Sequence, residues 1–164
     1  VALKYNLPVY QPVSLRKDYE FLKELDFDML ITTAYGQILP QAVLDLAKIN
    51  NINVHASLLP KFRGGAPIHR SIIEGHKETG VTIMEMVDKM DAGRMYAKAK
   101  YVINDTINTT QLFKELAIVG RDLLLETLPK LLNEELEGEV QNEEEATFSS
   151  NLTPKHSKRS QILI

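Results

Sequence analysis

The run Asn53-Val54-His55-Ala56-Ser57-Leu58-Leu59-Pro60-Lys61-Phe62-Arg63-Gly64-Gly65-Ala66-Pro67 constrains this chain more than any other stretch. Residues 52–55 alternate apolar with polar, the pattern of a strand end. Asn53 and His55 are two apart, so on a strand their side chains emerge on the same face. Pro60, Gly64, Gly65 and Pro67 then force an irregular loop before a helix can begin. Open α/β sheets bind ligands just beyond the carboxyl ends of their strands. An amide and an imidazole leaving such an end together mark the candidate active centre.

The flanking sequence predicts the rest of an α/β fold. Residues 28–34 are short, β-favouring and apolar, the look of a buried parallel strand. The loop Tyr35-Gly36-Gln37-Ile38-Leu39-Pro40 follows, and Pro40 suits the first turn of a helix through residue 47. A helix is expected over residues 67–74, ended by Gly75, with strands over 80–86 and 95–103. Ser14 is read as the cap of a helix with Leu15, Tyr19, Leu22 and Leu25 on one face. Asn108 or Thr109 starts a long amphipathic helix carrying Leu112, Leu116, Leu123, Leu124, Leu128, Leu131 and Leu132. This alternation predicts a largely parallel sheet with helices on both faces. The last strand follows its predecessor too closely for a crossover helix, so it is expected antiparallel. Residues 1–132 form the expected domain; 133–164 read as a polar, solvated connector and tail.

Composition narrows the function. At 164 residues one domain is expected, with ordinary globular fractions of 44% apolar and 25% charged residues. The net charge of −3 gives no support for a nucleic-acid-reading surface within this chain. It leaves room for an RNA substrate held by another part of a larger protein. With no Cys, a disulfide framework and a thiolate metal site are excluded, which fits a reducing compartment. No apolar run approaches the roughly 20 residues of a membrane helix.

The candidate chemistry is attack of an amine on a carbonyl-like carbon. Asn53 is a neutral donor able to hold a developing oxyanion. His55 offers a second donor or moves a proton near neutral pH. Asp91, in the loop after the next strand, is placed to orient the imidazole. Ser57 lacks the Gly-x-Ser-x-Gly setting of a hydrolase nucleophile, so the nucleophile should belong to the substrate. His55, His69, His76 and Asp91 show no metal-ligand spacing. Gly64-Gly65 lacks the Gly-Lys-Ser/Thr of a phosphate loop. Arg63 reads either as a simply exposed residue or as an anion or RNA contact. Met84, Met86 and Met90 read as core filling.

Taken whole, residues 53–68 resemble the signature of the folate-dependent formyltransferases. Glu78-Thr79-Gly80-Val81-Thr82-Ile83-Met84, ending at Asp91-Ala92-Gly93, is similar to their second signature. The resemblance runs over residues 1–148 and is nearest to the bacterial members acting on methionyl-tRNA. It implies a Rossmann-like fold without the family's first strands. Asn53, His55 and Asp91 then occupy the catalytic positions. Ser57, Leu58, Leu59 and Pro60 match the tetrahydrofolate-binding segment. Tyr35, Gly36, Gln37, Ile38 and Leu39, with Val87, Asp88 and Met90, match the walls of the pteridine pocket. The implied reaction moves the formyl group of 10-formyltetrahydrofolate, a substrate, to the amine of initiator methionyl-tRNA for translation initiation. No metal, membrane or DNA partner is implied, and the place is the bacterial cytoplasm.

Related acceptors stay open. Formyltransferases acting on nucleotide-linked amino sugars share much of the loop over residues 63–67. The enzyme acting on glycinamide ribonucleotide typically has His where this strand carries Met84. A non-catalytic remnant that keeps the folate pocket is the third reading. The family's first strand, helix and second strand would precede Val1, and a basic β-barrel domain would follow. Both are absent, and the end Lys155-His156-Ser157-Lys158-Arg159-Ser160-Gln161-Ile162-Leu163-Ile164 does not match the expected linker. A fragment of a longer protein is expected, with tRNA held mostly by the absent segments.

Overall fold

A computed structural model describes residues 1–153; the tail with the apolar end Gln161-Ile162-Leu163-Ile164 lies outside the described residues. In chain order the strands are β1 (Met29–Thr33), β2 (Asn50–His55), β3 (Arg63–Gly64), β4 (Glu78–Glu85), β5 (Met95–Val102) and β6 (Phe148–Ser149). The α-helices are α1 (Gln41–Leu44), α2 (Pro67–Ile73) and α3 (Thr109–Leu132). The main sheet has the order β1-β2-β4-β5, and β3 pairs with β6 in a second, two-stranded sheet.

The α/β class stands as read, and β5, the strand expected antiparallel to its predecessor, is so. The main sheet is mixed, however: β1 and β2 are parallel, but β4 runs antiparallel to β2 as well as to β5. The reason lies in α2. At seven residues it spans about 10 Å, too little to carry the chain back along a six-residue strand of about 20 Å. The chain therefore re-enters the sheet at the end it left, and β4 returns alongside β2.

The two faces of the sheet carry different loads. Ile52, Val54, Val81 and Ile83 pack on the face covered by α3, whose Leu112, Leu116 and Leu131 are buried there. Asn108 caps α3 through a reciprocal pair: its side chain accepts from the Gln111 N–H, and Gln111 accepts from the Asn108 N–H. On the other face Leu39, Val43 and Leu44 pack with Leu15, Tyr19, Leu22, Leu30 and Met86. Leu15, Tyr19 and Leu22 of the expected helix face do meet this core, and Leu25 is not among the residues packed on it. The helix expected after Ser14 is instead a turn and a short 3₁₀ segment, Glu20–Glu24. Likewise α1 is a single turn, and Pro40 is its N-cap rather than its first residue. Short segments lying on a sheet gain their stability from burial, not from helix length, so periodicity survives where helix does not. Among the described residues no helix is long and apolar enough to cross a membrane.

The largest departure is the stretch after α3. Residues 133–149 are not a structureless connector. Glu139 and Met95 exchange backbone hydrogen bonds of 2.8 and 2.9 Å, and β6 pairs in parallel with β3. Gln141 and Ser149 are buried. This returning strap crosses the loop between β2 and α2.

Candidate active site

Asn53 projects from β2 on the face away from α3, opposite Thr32 of β1 and Met84 of β4. Thr32 Oγ1 donates to Asn53 Oδ1 at 3.0 Å, which fixes the amide with its Nδ2 toward a cleft of about 260 Å³. A neutral N–H₂ with no acceptor among the described residues therefore faces open space. The cleft lies at the carboxyl end of β1 and β2, where an α/β sheet takes ligands. A register shift between Ile83 and Met84 interrupts the β4–β5 ladder beside it, a local kink common near functional sites.

Asp91 lines the same cleft from the opposite side. Its backbone is left-handed, with φ of 48°, a conformation that Asp tolerates better than most residues. Its Oδ2 accepts from the Gly64 N–H at 2.8 Å and lies 3.7 Å from His55 Nδ1. Two residues further on, Gly93 permits close approach: a Cβ there would meet the Glu85 carbonyl oxygen at 2.0 Å.

His55 is 6% exposed and sits behind Asp91 rather than in the cleft wall. Its Nε2 lies 3.0 Å from the Phe62 carbonyl oxygen. A carbonyl only accepts, so Nε2 carries the proton and Nδ1 is the free acceptor. At 3.7 Å the Nδ1–Asp91 separation is beyond a direct hydrogen bond but suited to one bridging water or to an imidazolium–carboxylate pair. Strand alternation thus brings Asn53 and His55 to one face, and the loop from β4 inserts Asp91 in front of the imidazole.

The expected pocket residues divide. Tyr35, Gly36, Gln37, Ile38 and Leu39 line one wall; Val87, Asp88 and Met90 line another. Ser57, Leu58, Leu59 and Pro60 do not line the cleft. Ser57 Oγ donates to the Lys61 carbonyl at 2.6 Å, Leu59 packs with Met84 and Met95, and Thr82 Oγ1 bonds both Ser57 O and Leu59 N. That segment holds the loop up from beneath. Met84, Met86 and Met90 all border the cleft, and Met90 is half exposed, so these methionines are not merely core filling.

Arg63 corrects both readings made of it. Its side chain is fully buried, and it donates to Gln141 Oε1 at 3.0 Å and to both oxygens of Glu143 at 2.8 and 3.2 Å. Lys89 Nζ reaches the same carboxylate at 2.7 Å. The bonds from Arg63 first, then those from Lys89, hold the Glu143 carboxyl at about 2, below its ordinary 4.5. Because the folded-state value is the lower one, protonation favours the unfolded chain. The stabilisation is complete above about pH 4.5 and is lost as pH falls toward 2. Thermal unfolding followed across pH 6 to 2 should show this loss, and Glu143→Gln should flatten it; equal slopes in both proteins would refute the assignment.

Thr32, Leu44 and Asn151 line the cleft without having been singled out in the sequence, and the strap residue Gln141, outside the lining, bonds the Asp91 backbone. Thr32 is identified only by strand register, and Asn151 and Gln141 only by the strap's return. The one available signal was Arg63 itself, because a cation in a loop about to be buried needs acceptors, and the acidic run over 143–145 supplies one. Among the described residues no group of three or more His, Asp or Glu converges as a metal site.

A mixed α/β domain thus gathers an open amide and a carboxylate at one cleft, with an acceptor imidazole behind the carboxylate. Residues 7–128 match the family model described as formyl transferase, and the chain belongs to that family. It is 53% identical over 154 residues to the methionyl-tRNA formyltransferase of Enterococcus faecalis, covering 93% of this chain and 49% of that protein. With the Streptococcus agalactiae protein of the same name it shares 54% over 156 residues, covering 94% and 50%. The chain thus spans about half the length of the curated relatives it matches. In fold it is similar to the formyltransferase PseJ of Anoxybacillus kamchatkensis, solved with tetrahydrofolate, at a TM-score of 0.75 and 23% identity, over 96% of this chain and 79% of that one. HypX of Aquifex aeolicus gives a TM-score of 0.80 at 18% identity, over 92% and 27%.

Proposed function

We propose that this cleft transfers the formyl group of 10-formyltetrahydrofolate to the amino group of initiator methionyl-tRNA, in the bacterial cytoplasm. The observation that carries the chemistry is the Asn53 amide facing Asp91 across the cleft with His55 Nδ1 behind. The identity to methionyl-tRNA formyltransferases supports the acceptor.

The cleft suits a pteridine. Its walls combine apolar side chains (Ile38, Leu39, Val87, Met90) with polar groups at the edge (Gln37, Asp88), the mix that orients a flat heteroaromatic ring. The folate supplies an activated one-carbon unit. Asn53 Nδ2 donates to the formyl oxygen as negative charge develops there during attack by the amine. Asp91 positions the amine and keeps the imidazole oriented. His55 Nδ1, behind Asp91, accepts the amine's proton through a bridging water, and Asp91 stabilises the imidazolium that results. Nε2 stays fixed on the Phe62 carbonyl, so the ring keeps its tautomer and returns the proton to the leaving folate nitrogen. Ser57, Leu58, Leu59 and Pro60 support folate binding by holding this loop in place. Holding both substrates in register contributes on the order of 7–11 kcal/mol in well-oriented systems.

Acceptor choice is tested by presenting charged initiator tRNA, deacylated tRNA and a nucleotide-linked amino sugar to the chain with the same formyl donor. Formylated methionine on the first alone is the expected result. Formylation of the sugar in preference to the tRNA would reassign the acceptor while leaving the site chemistry intact.

A further inference from the structure

We propose that Gln141 is a positioning residue for Asp91, and that the returning strap is a working part of the active centre. This rests on the formyl-transfer reading for its consequence, but the geometry stands by itself. One carboxamide joins three places. Its Nε2 donates to the Asp91 carbonyl and to the Gly93 carbonyl, each at 2.8 Å, and its Oε1 accepts from Arg63 Nε at 3.0 Å. It is 5% exposed, so these bonds are made away from water, where a lost partner is costly.

The two loops tied in this way face each other across the catalytic carboxylate. One carries Asp91, whose positive φ needs its surroundings to hold it. The other carries Gly64, whose N–H is the donor to Asp91 Oδ2. Arg63 anchors the second loop to the strap through Glu143, and the Arg63 N–H donates to the Thr147 carbonyl at 2.8 Å. Asp91 therefore has its backbone fixed by Gln141 and its carboxylate fixed by Gly64, and Gln141 bonds both loops directly, beside the outer link from Arg63 through Glu143 to Lys89. Loosening that tie moves the carboxylate relative to His55 Nδ1 and Asn53 together.

Two variants separate tether from anchor. Gln141→Leu removes all three hydrogen bonds at similar volume. Gln141→Glu keeps the acceptor for Arg63 but cannot donate at neutral pH. Both should speed hydrogen exchange at the Gly64 amide by roughly tenfold or more, while amides in the β2–β4 pairing stay protected. In both, kcat for formyl transfer should fall by roughly 10- to 10²-fold, with KM for the folate changed by less than about threefold. Should Gln141→Leu fail to fold, Gln141→Glu decides. Unchanged Gly64 exchange in Gln141→Glu overturns the proposal, as does a rise in KM with kcat preserved. If the parent chain itself transfers no formyl group, that counts against the functional reading alone, and the exchange experiment still decides the positioning role.

Discussion

Asn53→Ala should lower turnover by about 10² to 10³ with the fold intact, since removal of one oxyanion donor costs that much where the donor is preorganised. The preorganisation is visible: Thr32 holds the amide oxygen, so Nδ2 reaches the cleft without reorienting during reaction. Asn53→Asp makes the sharper variant. It keeps the shape and places a negative charge where the reaction develops one, so its loss should equal or exceed that of the alanine. His55→Ala should also cost about 10² or more, because Nδ1, 3.7 Å from Asp91 Oδ2, is the base in the proposed proton path. Single-turnover formylation measures both. Changes below threefold in both alanine variants would sink the catalytic assignment.

Arg63→Ala should destabilise the chain by about 2–5 kcal/mol, the range for emptying a fully buried large side chain and orphaning a buried acceptor. Against a total of roughly 5–15 kcal/mol that is a large fraction. The loss has two parts that a second variant separates. Arg63→Met refills most of the volume but leaves Gln141 Oε1 and Glu143 without their guanidinium, so it should recover part of the loss and not all of it. Arg63→Lys keeps the charge but cannot reproduce the forked geometry that reaches Gln141 and both Glu143 oxygens. Urea unfolding with the slope held common ranks the three. Stability of Arg63→Ala within experimental scatter of the parent would mean the strap is a surface decoration.

These expectations locate what the sequence makes legible. Asn53 and His55 were readable because strand alternation is a local rule, and one strand suffices to put both on one face. Asp91 was placed by resemblance and by its position after β4; the backbone bond to Gly64 that holds it needed the three-dimensional loop. The walls, residues 35–39 with Val87, Asp88 and Met90, were placed by the resemblance alone, and the structure sets them around one cleft. What failed was long-range. The direction of β4 depends on whether α2 is long enough to cross the sheet, and a shortfall of about two helical turns decides it. The strap was read as solvent-exposed because residues 133–145 are acidic and polar. In that run Gln141 is the residue buried with its side chain fully used, and its partners lie 48, 50 and 78 positions away. Composition averages over such a residue. Arg63 was misread for the same reason, since a guanidinium in a glycine-rich loop looks like a ligand contact until its carboxylate comes back from 80 residues downstream.

The most direct test of the central claim is release of tetrahydrofolate from 10-formyltetrahydrofolate by this chain, measured with charged and with deacylated initiator tRNA, for the parent and for Asn53→Ala. The expected result is release that requires the charged tRNA and falls by about 10² or more in the variant. Release that ignores the aminoacyl group, or that survives loss of the Asn53 amide, would contradict the account; so would a folded parent chain that releases none.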